Sequence, residues 1–341
     1  MNTFSKIYPG LENAFVGIYD LSYAPYALGD VITWQVNLSV MMLENDYHDI
    51  VQFVVADPLN PASSSQSHIT TANYLYHLNN LFPAFLCCPH TRLVNIVRDK
   101  GMLNAFLLSR LFRKNSTWPS VYDHFRNRID FASHTRINRF FVNHGYIPRL
   151  DSPKGYEKYV GAFLNMHYKD SFKVAVNIRQ RRFYRSVTLE DQNVTLRDSP
   201  TDEWYRFFRI VLEKHPEVRF FVLGGYTEWE RDLCNYKNVV IPRTLGLNLG
   251  HELSILHKAD LFMGTSSGFA AAATFSETPY IITNFLHSAA DHIGLPVGTV
   301  RYPFALGHQI LSWEKESTEL LVHLFENGYH ELKENVSRSN E

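Results

Sequence analysis

The chain has 341 residues, which corresponds to roughly two domains of about 150 residues each. Its 33 Lys and Arg residues balance 34 Asp and Glu residues, and this even charge argues against the basic surface that nucleic-acid binding requires. A hydrophobic content of 45% with 20% charged residues excludes a disordered chain. Three cysteines cannot make a disulfide framework, so we expect a reducing compartment.

The sequence shows no targeting or membrane-spanning segment. Residues 1–13 are polar and contain Pro9 and Gly10, unlike the apolar core of a signal peptide. No run of about 20 apolar residues occurs, so a spanning helix is not expected. We therefore predict a cytoplasmic protein. Residues 110–149 carry many arginines among aromatic residues, and two interpretations stay open: peripheral contact at the inner membrane face, or an ordinary basic domain face.

The first half of the chain alternates strand and helix patterns. Short apolar, β-branched runs predict strands at residues 14–20, 50–56 and 93–97. Apolar residues at helical spacing predict a helix over 30–43, and further helices are expected at 72–81 and 102–112. A proline-bounded stretch at 148–153 is a plausible interdomain linker.

The second half shows the same alternation more regularly. Apolar runs predict strands at residues 172–178, 218–223, 238–241, 261–263 and 280–283. Helices are predicted at residues 203–215, 227–236, 251–258, 269–275 and 316–333. The first of these helices should follow a Ser199 N-cap with Pro200 at its first position. Alternation with short loops indicates parallel strands joined by right-handed crossovers, which predicts a doubly wound α/β domain.

An arginine-rich segment follows the predicted strand at 172–178. It contains Arg179, Arg181 and Arg182. Ligands of open α/β sheets bind beyond the carboxyl ends of the strands, and the planar guanidinium group binds phosphate or carboxylate through paired hydrogen bonds. The position therefore favours an anion site, and the alternative is a solvated loop.

A short hydroxyl-rich turn, Thr265, Ser266, Ser267 and Gly268, lies between a predicted strand and an Ala-rich helix. Its glycine, hydroxyls and backbone N–H groups offer donors for phosphate oxygens. The pattern is neither a P-loop nor the G-x-G-x-x-G fingerprint. Its position at a strand end favours a phosphate site, and a tight capped turn is the alternative.

Four further residues stand at the ends of predicted elements. Gly224 and Gly225 end a strand and either border a nucleotide or only turn the chain. Glu252 and Asp30 each lie at the start of a predicted helix, where an acid complements the helix dipole. The functional alternatives are ribose binding for Glu252 and general-base chemistry for Asp30. The 16 histidines show no metal-ligand spacing, so no metal site is predicted.

Three stretches resemble the GT-B glycosyltransferases. Residues 252–268, which end in ADLFMGTSSG, run on through an Ala-rich helix to a strand that opens with Pro279, and they resemble the donor half of heptosyltransferase-type enzymes. Residues 27–32 (ALGDVI) are similar to the Gly-Asp motif that begins the first helix of that family. Residues 176–182 (VNIRQRR) are similar to the strand-end arginine motif of GT-B fucosyltransferases, with Asn177 where that pattern often has His.

The resemblance implies two Rossmann-like doubly wound domains facing a cleft. The expected division is 1–150 for the acceptor domain, 151–315 for the nucleotide-sugar domain and 316–341 for a C-terminal helix and tail. Arg179, Arg181, Arg182 and the 265–268 turn would neutralise the donor diphosphate. The nucleoside would lie near Gly224, Gly225 and Glu252.

The same resemblance implies a chemistry and a set of partners. Asp30 would deprotonate the hydroxyl of the acceptor, and the reaction would invert the sugar carbon. Fixed donors and cations would stabilise the leaving group, so neither a metal nor another cofactor is expected. The implied role is bacterial surface glycan synthesis with a glycan, lipid-linked or protein acceptor.

Two other function classes remain open at this point. One is a different nucleotide-sugar enzyme, such as a UDP-sugar 2-epimerase, which would convert the donor without any acceptor. The other is a binding protein that kept the GT-B fold without catalysis. Product analysis distinguishes the first class, and the absence of turnover with every donor distinguishes the second.

Overall fold

The computed structural model describes residues 13–110, 116–126, 133–180, 198–225, 229–285 and 290–339. The chain divides into two compact units, Met1–Asp151 and Ser152–Glu341. Each unit is built on one sheet, and all of the recorded strand pairs are parallel. The predicted α/β class with two doubly wound sheets is therefore confirmed.

The first unit contains a four-stranded sheet and its helices. Its strands are β1 Phe15–Asp20, β2 Ile50–Val55, β3 Thr91–Val97 and β4 Thr117–Trp118. Its helices are α1 Leu28–Glu44, α2 Tyr74–Leu81, α3 Lys100–Ser109, α4 Val121–Phe125 and α5 Thr135–His144. Every residue of β1 and β2 is buried, as expected for central strands covered on both faces.

The strand order of the first sheet is β3-β2-β1-β4. The chain runs outward from β1 through β2 to β3, and then reaches β4 on the other side of β1. The strand order thus reverses between β1 and β4, which makes the carboxyl ends of these two strands the topological switch point where ligands of such sheets bind.

The second unit contains a six-stranded sheet. Its strands are β5 Phe172–Asn177, β6 Val218–Val222, β7 Val239–Val240, β8 Leu261–Thr265, β9 Tyr280–Thr283 and β10 Gln309–Leu311. Its helices are α6 Glu157–Tyr168, α7 Thr201–Lys214, α8 Leu249–Lys258, α9 Gly268–Thr274, α10 Ala290–Ile293 and α11 Thr318–Ser339. The strand order is β10-β9-β8-β5-β6-β7, so the switch point of this sheet lies between β5 and β8.

The core of the second unit explains the helical pattern found in the sequence. The apolar face of α7 is fully buried through Trp204, Phe207, Phe208 and Val211. These side chains join the strands and α11 in one apolar cluster. Burying such a side chain stabilises the fold by about 1.5–3 kcal/mol, so α7 and α11 hold one face of the sheet.

Several predicted elements need correction. Residues 231–235 of the predicted helix at 227–236 form a 3-10 turn instead, and residues 226–228 lie outside the described part of the chain. The helix after Ser199 begins at Thr201, with Pro200 as its N-cap and no side-chain cap. Strand β10 was not predicted, because three residues carry too short a pattern. Helix α6 was not predicted either, because it buries only Val160 and Leu164.

Two observations bear on membrane contact. No helix in the described ranges is both long and apolar enough to cross a bilayer. In the basic stretch at 110–149, Arg110 is buried, and its guanidinium donates to the carbonyl oxygen of Ala14 at 3.1 Å. This arginine therefore belongs to the interior of the first unit rather than to an exposed basic face.

Candidate functional site

The carboxyl ends of β5 and β8 bring together two segments that the sequence predicted to bind phosphate. The two strands pair with Asn177 opposite Gly264. Arg179 follows β5, and the turn at 265–268 begins at the end of β8. Because the strands are parallel neighbours, both segments leave the same edge of the sheet at its switch point, where ligands of open α/β sheets bind. We call this edge the β5–β8 edge.

The close approach of β5 and β8 depends on Gly264. A Cβ atom at this position would lie 2.6 Å from the carbonyl oxygen of Asn177 and 3.2 Å from its backbone nitrogen. Backbone atoms cannot turn aside as a flexible side chain can, so glycine is required here. Asn177 also links β5 to β6, because its side-chain amide donates to the carbonyl oxygen of Leu223 at 2.9 Å.

Arg179 stands at the base of the arginine segment. Its side chain is largely buried, and Nη1 lies 3.7 Å from Oδ1 of Asp198. The backbone N–H of Ser199 donates to the Arg179 carbonyl oxygen at 2.9 Å, and the Gln180 amide donates to the Ser199 carbonyl oxygen. Residues 179–180 and 198–199 thus form a hydrogen-bonded stem. The predicted Arg181 and Arg182 lie outside the described residues.

The residues of the hydroxyl-rich turn differ in their exposure to solvent. Thr265 is fully buried, whereas Ser266, Ser267 and Gly268 are half-buried. The Ser267 hydroxyl accepts a hydrogen bond from the Ala270 backbone N–H at 3.3 Å and caps α9. The capped turn that the sequence left as an alternative is thus present, and it stands at the same edge as Arg179.

Gly224 and Glu252 are joined directly. The backbone N–H of Gly224 donates to Oε1 of Glu252 at 2.9 Å, and Arg243 contacts Oε2 through Nε at 2.9 Å and Nη2 at 2.7 Å. The Glu252 carboxylate is fully buried. Gly224 has a φ of 139°, which favours glycine. A Cβ atom on Gly225 would meet no other described atom within 4 Å, and residues 226–228 lie outside the described ranges.

Asp30 lies in the first turn of α1, which follows β1 through residues 21–27. Its side chain is half-buried. The connection places the start of α1 beyond the carboxyl end of β1. Burial raises the pKa of the nearby Tyr19 hydroxyl, and the negative charge of Asp30 raises it further. Asp30 therefore lies on the carboxyl side of the first sheet, which is the side where open α/β sheets bind ligands.

The structure also gathers five polar residues that the sequence analysis did not single out, namely Asp20, Ser22, Tyr23, Lys100 and His124. We call them the β1-edge cluster. They come from the end of β1 and the loop after it, the start of α3 after β3, and α4 after β4. They therefore meet near the switch point of the first sheet. Residues this far apart in the sequence share no spacing that could have revealed them.

The β1-edge cluster is held by ionic and polar contacts. Lys100 Nζ lies 2.8 Å from Oδ2 of the buried Asp20 and donates to Ser22 Oγ at 2.7 Å. The Tyr23 hydroxyl is hydrogen-bonded to His124 Nδ1 at 3.1 Å. Burial lowers the pKa of His124; Lys100 lowers it further, and Asp20 opposes the shift. The imidazole is therefore neutral at neutral pH and can accept or donate through its ring nitrogens.

No group of three or more His, Cys, Asp or Glu side chains in the described ranges is arranged to hold a metal ion. The arginine segment beyond Gln180 is not among the described residues. Metal independence consequently stays a prediction.

The architecture of two parallel, doubly wound sheets is shared with solved structures of glycosyltransferases. The chain is similar to the glycosyl transferase family 9 structure from Veillonella parvula, with a TM-score of 0.55 and 12% identity over 95% of this chain and 99% of that one. It is also similar to the E. coli ADP-heptose LPS heptosyltransferase II, with a TM-score of 0.53 and 9% identity over 94% and 99% of the two chains. No protein-family model matches the sequence, and no curated protein matches it significantly. The predicted heptosyltransferase-like GT-B fold is thus confirmed.

Proposed function

We propose that the protein is a glycosyltransferase that moves a sugar from a nucleotide-activated donor to a hydroxyl acceptor in bacterial surface glycan synthesis. This proposal rests on one observation: Arg179 and the 265–268 turn follow neighbouring parallel strands and therefore lie at the same β5–β8 edge. A cationic segment and a hydroxyl-rich turn at a switch point suit a diphosphate. The shared fold with a family 9 glycosyl transferase supports the same function.

The donor diphosphate would bind at the β5–β8 edge. Arg179, together with Arg181 and Arg182 of the adjoining segment, would neutralise its charge, and the 265–268 turn would donate hydrogen bonds to its oxygens. Asp198 holds the Arg179 guanidinium at this edge through their ion pair. Fixed cations and donors stabilise a departing diphosphate, so we propose a reaction without a divalent metal.

The nucleoside would lie along the end of β6. Gly225 has no side chain, so its backbone can approach a flat base or a ribose closely. Glu252 was predicted to contact the ribose, and its buried bonds to Gly224 and Arg243 favour a supporting role beneath the nucleoside. The E. coli relative carries ADP-heptose in its name, so ADP-heptose is the first donor to test.

The acceptor would be bound by the first unit. We propose that the Asp30 carboxylate takes the proton of the acceptor hydroxyl as its oxygen attacks the sugar carbon, while the nucleoside diphosphate leaves from the opposite face. This in-line displacement inverts the configuration at that carbon. The β1-edge cluster provides hydrogen-bonding groups for the acceptor at the switch point of the same sheet. The acceptor is a glycan, a lipid-linked saccharide or a protein.

A thermal-shift screen with GDP, UDP, ADP, CMP and dTDP, with and without EDTA, tests the donor assignment. A ligand that binds only the native state raises the melting temperature, and we expect a shift with one diphosphate that EDTA leaves unchanged. Arg179→Met should weaken the shift, whereas Arg209→Met, which removes an exposed arginine of α7, should preserve it. No shift with any nucleotide would contradict the proposal.

A product analysis then tests the reaction. Incubation with the matching nucleotide sugar should release the free nucleoside diphosphate, because the sugar passes to an acceptor or slowly to water. An isomerised nucleotide sugar with no released diphosphate would instead indicate an epimerase.

A further inference from the structure

Glu316 is a buried carboxylate at the carboxyl end of the second sheet, and the functional assignments above do not use it. It lies just before α11, and only 3% of its surface is exposed. The Thr283 hydroxyl donates to its Oε1 at 2.6 Å, and the Trp204 indole N–H donates to its Oε2 at 3.1 Å. Burial raises the pKa of Glu316, and the hydrogen bonds from Thr283 and Trp204 oppose the shift.

One partner of Glu316 belongs to the strand beside the hydroxyl-rich turn. Thr283 is the last residue of β9 and pairs with Thr265, the last residue of β8. Its hydroxyl also lies 3.3 Å from the carbonyl oxygen of Gly264. The position of Thr283, fixed by Glu316, therefore bears directly on the strand end from which the 265–268 turn departs.

A second partner belongs to the helix that follows the stem of the arginine segment. Trp204, whose indole N–H donates to Glu316, lies near the start of α7. Helix α7 begins at Thr201, two residues after Ser199, and the Ser199 backbone is bonded to Arg179 and Gln180. Glu316 is thus hydrogen-bonded on one side to the helix that leaves the arginine stem, and on the other side to the strand end beside the 265–268 turn.

We propose that Glu316 is a positioning residue for the donor diphosphate, setting the separation between Arg179 and the 265–268 turn. This inference rests on the proposed function. A diphosphate that contacts both segments needs its cationic and hydroxyl partners at one fixed spacing, and preorganised groups bind such charge better than groups that must rearrange. A single buried carboxylate that accepts from Thr283 of β9 and from Trp204 of α7 fixes that spacing.

If Glu316 only anchored α11, its replacement would lower stability without changing diphosphate affinity. Glu217 provides the matched control for that role. Glu217 immediately precedes β6, so it lies at the opposite, amino edge of the sheet. Its carboxylate accepts a hydrogen bond from the Tyr329 hydroxyl and another from Lys333 Nζ at 3.0 Å, and both partners belong to α11. Glu217 thus ties the same helix to the sheet, far from the β5–β8 edge.

The experiment compares Glu316→Leu, Glu316→Gln and Glu217→Leu with the wild type. Isothermal titration with the nucleoside diphosphate selected by the thermal-shift screen gives Kd, and chemical denaturation gives stability. We expect Glu316→Leu to weaken diphosphate affinity about tenfold, the loss expected when a charge-assisted hydrogen bond is misplaced. Glu217→Leu should lower stability and leave Kd at the wild-type value.

Glu316→Gln should restore much of the affinity. Its side-chain oxygen can accept from Trp204, and its amide can donate to Thr283, whose hydroxyl can then turn to the Gly264 carbonyl oxygen. Thr283→Val, which keeps the shape and removes the hydroxyl, is the second test if Glu316→Leu does not fold, and it should weaken affinity in the same direction.

Unchanged affinity in both Glu316→Leu and Thr283→Val would overturn the inference, and so would an equal loss of affinity in Glu217→Leu. A wild type that binds none of the nucleotides would instead contradict the proposed function itself, and the inference would fall with it.

Discussion

Gly264 stands so close to Asn177 that a single added carbon would come within 2.6 Å of the Asn177 carbonyl oxygen. This contact joins the last residue of β5 to the last but one residue of β8. It holds the arginine segment and the hydroxyl-rich turn side by side, because each segment departs within two residues of the contact. The geometry of the β5–β8 edge is thus decided by backbone packing rather than by the side chains that would bind a ligand.

Replacing Gly264 by alanine should therefore destabilise the protein. The neighbouring atoms are backbone and cannot move without shifting a central strand, so we expect a loss of about 1–3 kcal/mol in the free energy of unfolding. Urea denaturation measures this loss. Gly225→Ala is the control, since its Cβ would have no described atom within 4 Å, and it should change stability by less than about 0.5 kcal/mol. Equal stability of the two variants would contradict the close-packing argument.

Asp30→Asn should abolish most of the turnover while leaving donor binding nearly intact. A positioned general base contributes about 10²–10⁴-fold to the rate, and the amide cannot take the proton of the acceptor hydroxyl. Release of nucleoside diphosphate measures turnover, and titration with the diphosphate measures binding. Glu44→Gln, at the exposed far end of the same helix, should retain full activity. Normal turnover of Asp30→Asn would remove the base assignment.

Lys100→Met should destabilise the first unit, because it leaves the Asp20 carboxylate buried without its cation. Only 1% of the Asp20 side chain is exposed, against 30% of Lys100. Leaving a buried polar group without its partner costs about 1–3 kcal/mol, and a charged group costs more. The control is Arg92→Met, which removes an ion pair with Asp49 whose partners are 61% and 32% exposed and should cost less than about 1 kcal/mol. Equal losses of stability in the two variants would show that burial of Asp20 does not matter.

His124 should make the protein less stable in mild acid. Burial holds its pKa in the folded state below the ordinary value of 6.5, so the unfolded chain binds a proton more readily. Its contribution to stability is complete above that value and is lost as the pH falls through and below it. Between pH 7.5 and pH 5.5, the free energy of unfolding measured by denaturation should therefore fall less for His124→Gln than for the wild type. An equal loss of stability in the two proteins would mean that His124 does not cause the acid sensitivity.

The sequence predicted those parts of the fold that depend on local patterns. Helix α7 was predictable because Trp204, Phe207, Phe208 and Val211 recur at helical spacing and all lie in the core. Helix α6 was missed because its buried face consists of Val160 and Leu164 alone, and β10 was missed because three residues carry almost no periodicity. Local sequence thus predicts an element only when its apolar face contains enough residues to show a clear periodicity.

The same limit applies to the candidate site. Arg179 and the 265–268 turn could be predicted because each follows an apolar strand, and connectivity alone places them at the carboxyl edge. Glu316 could not be predicted, since its indole partner Trp204 lies 112 residues away in the sequence. The Asp20–Lys100 pair likewise comes from segments that only the strand order brings together.

The strand order has a consequence for the growing polypeptide. When the ribosome has released β5 and β6, these strands can pair, but the other side of β5 must wait for β8, which is made much later. Until then β5 exposes an unpaired edge, the feature through which partly folded chains join one another. Arrival of β8 closes this edge and completes the proposed diphosphate site in one event. Nucleotide binding would thus report that β5 has paired on both sides.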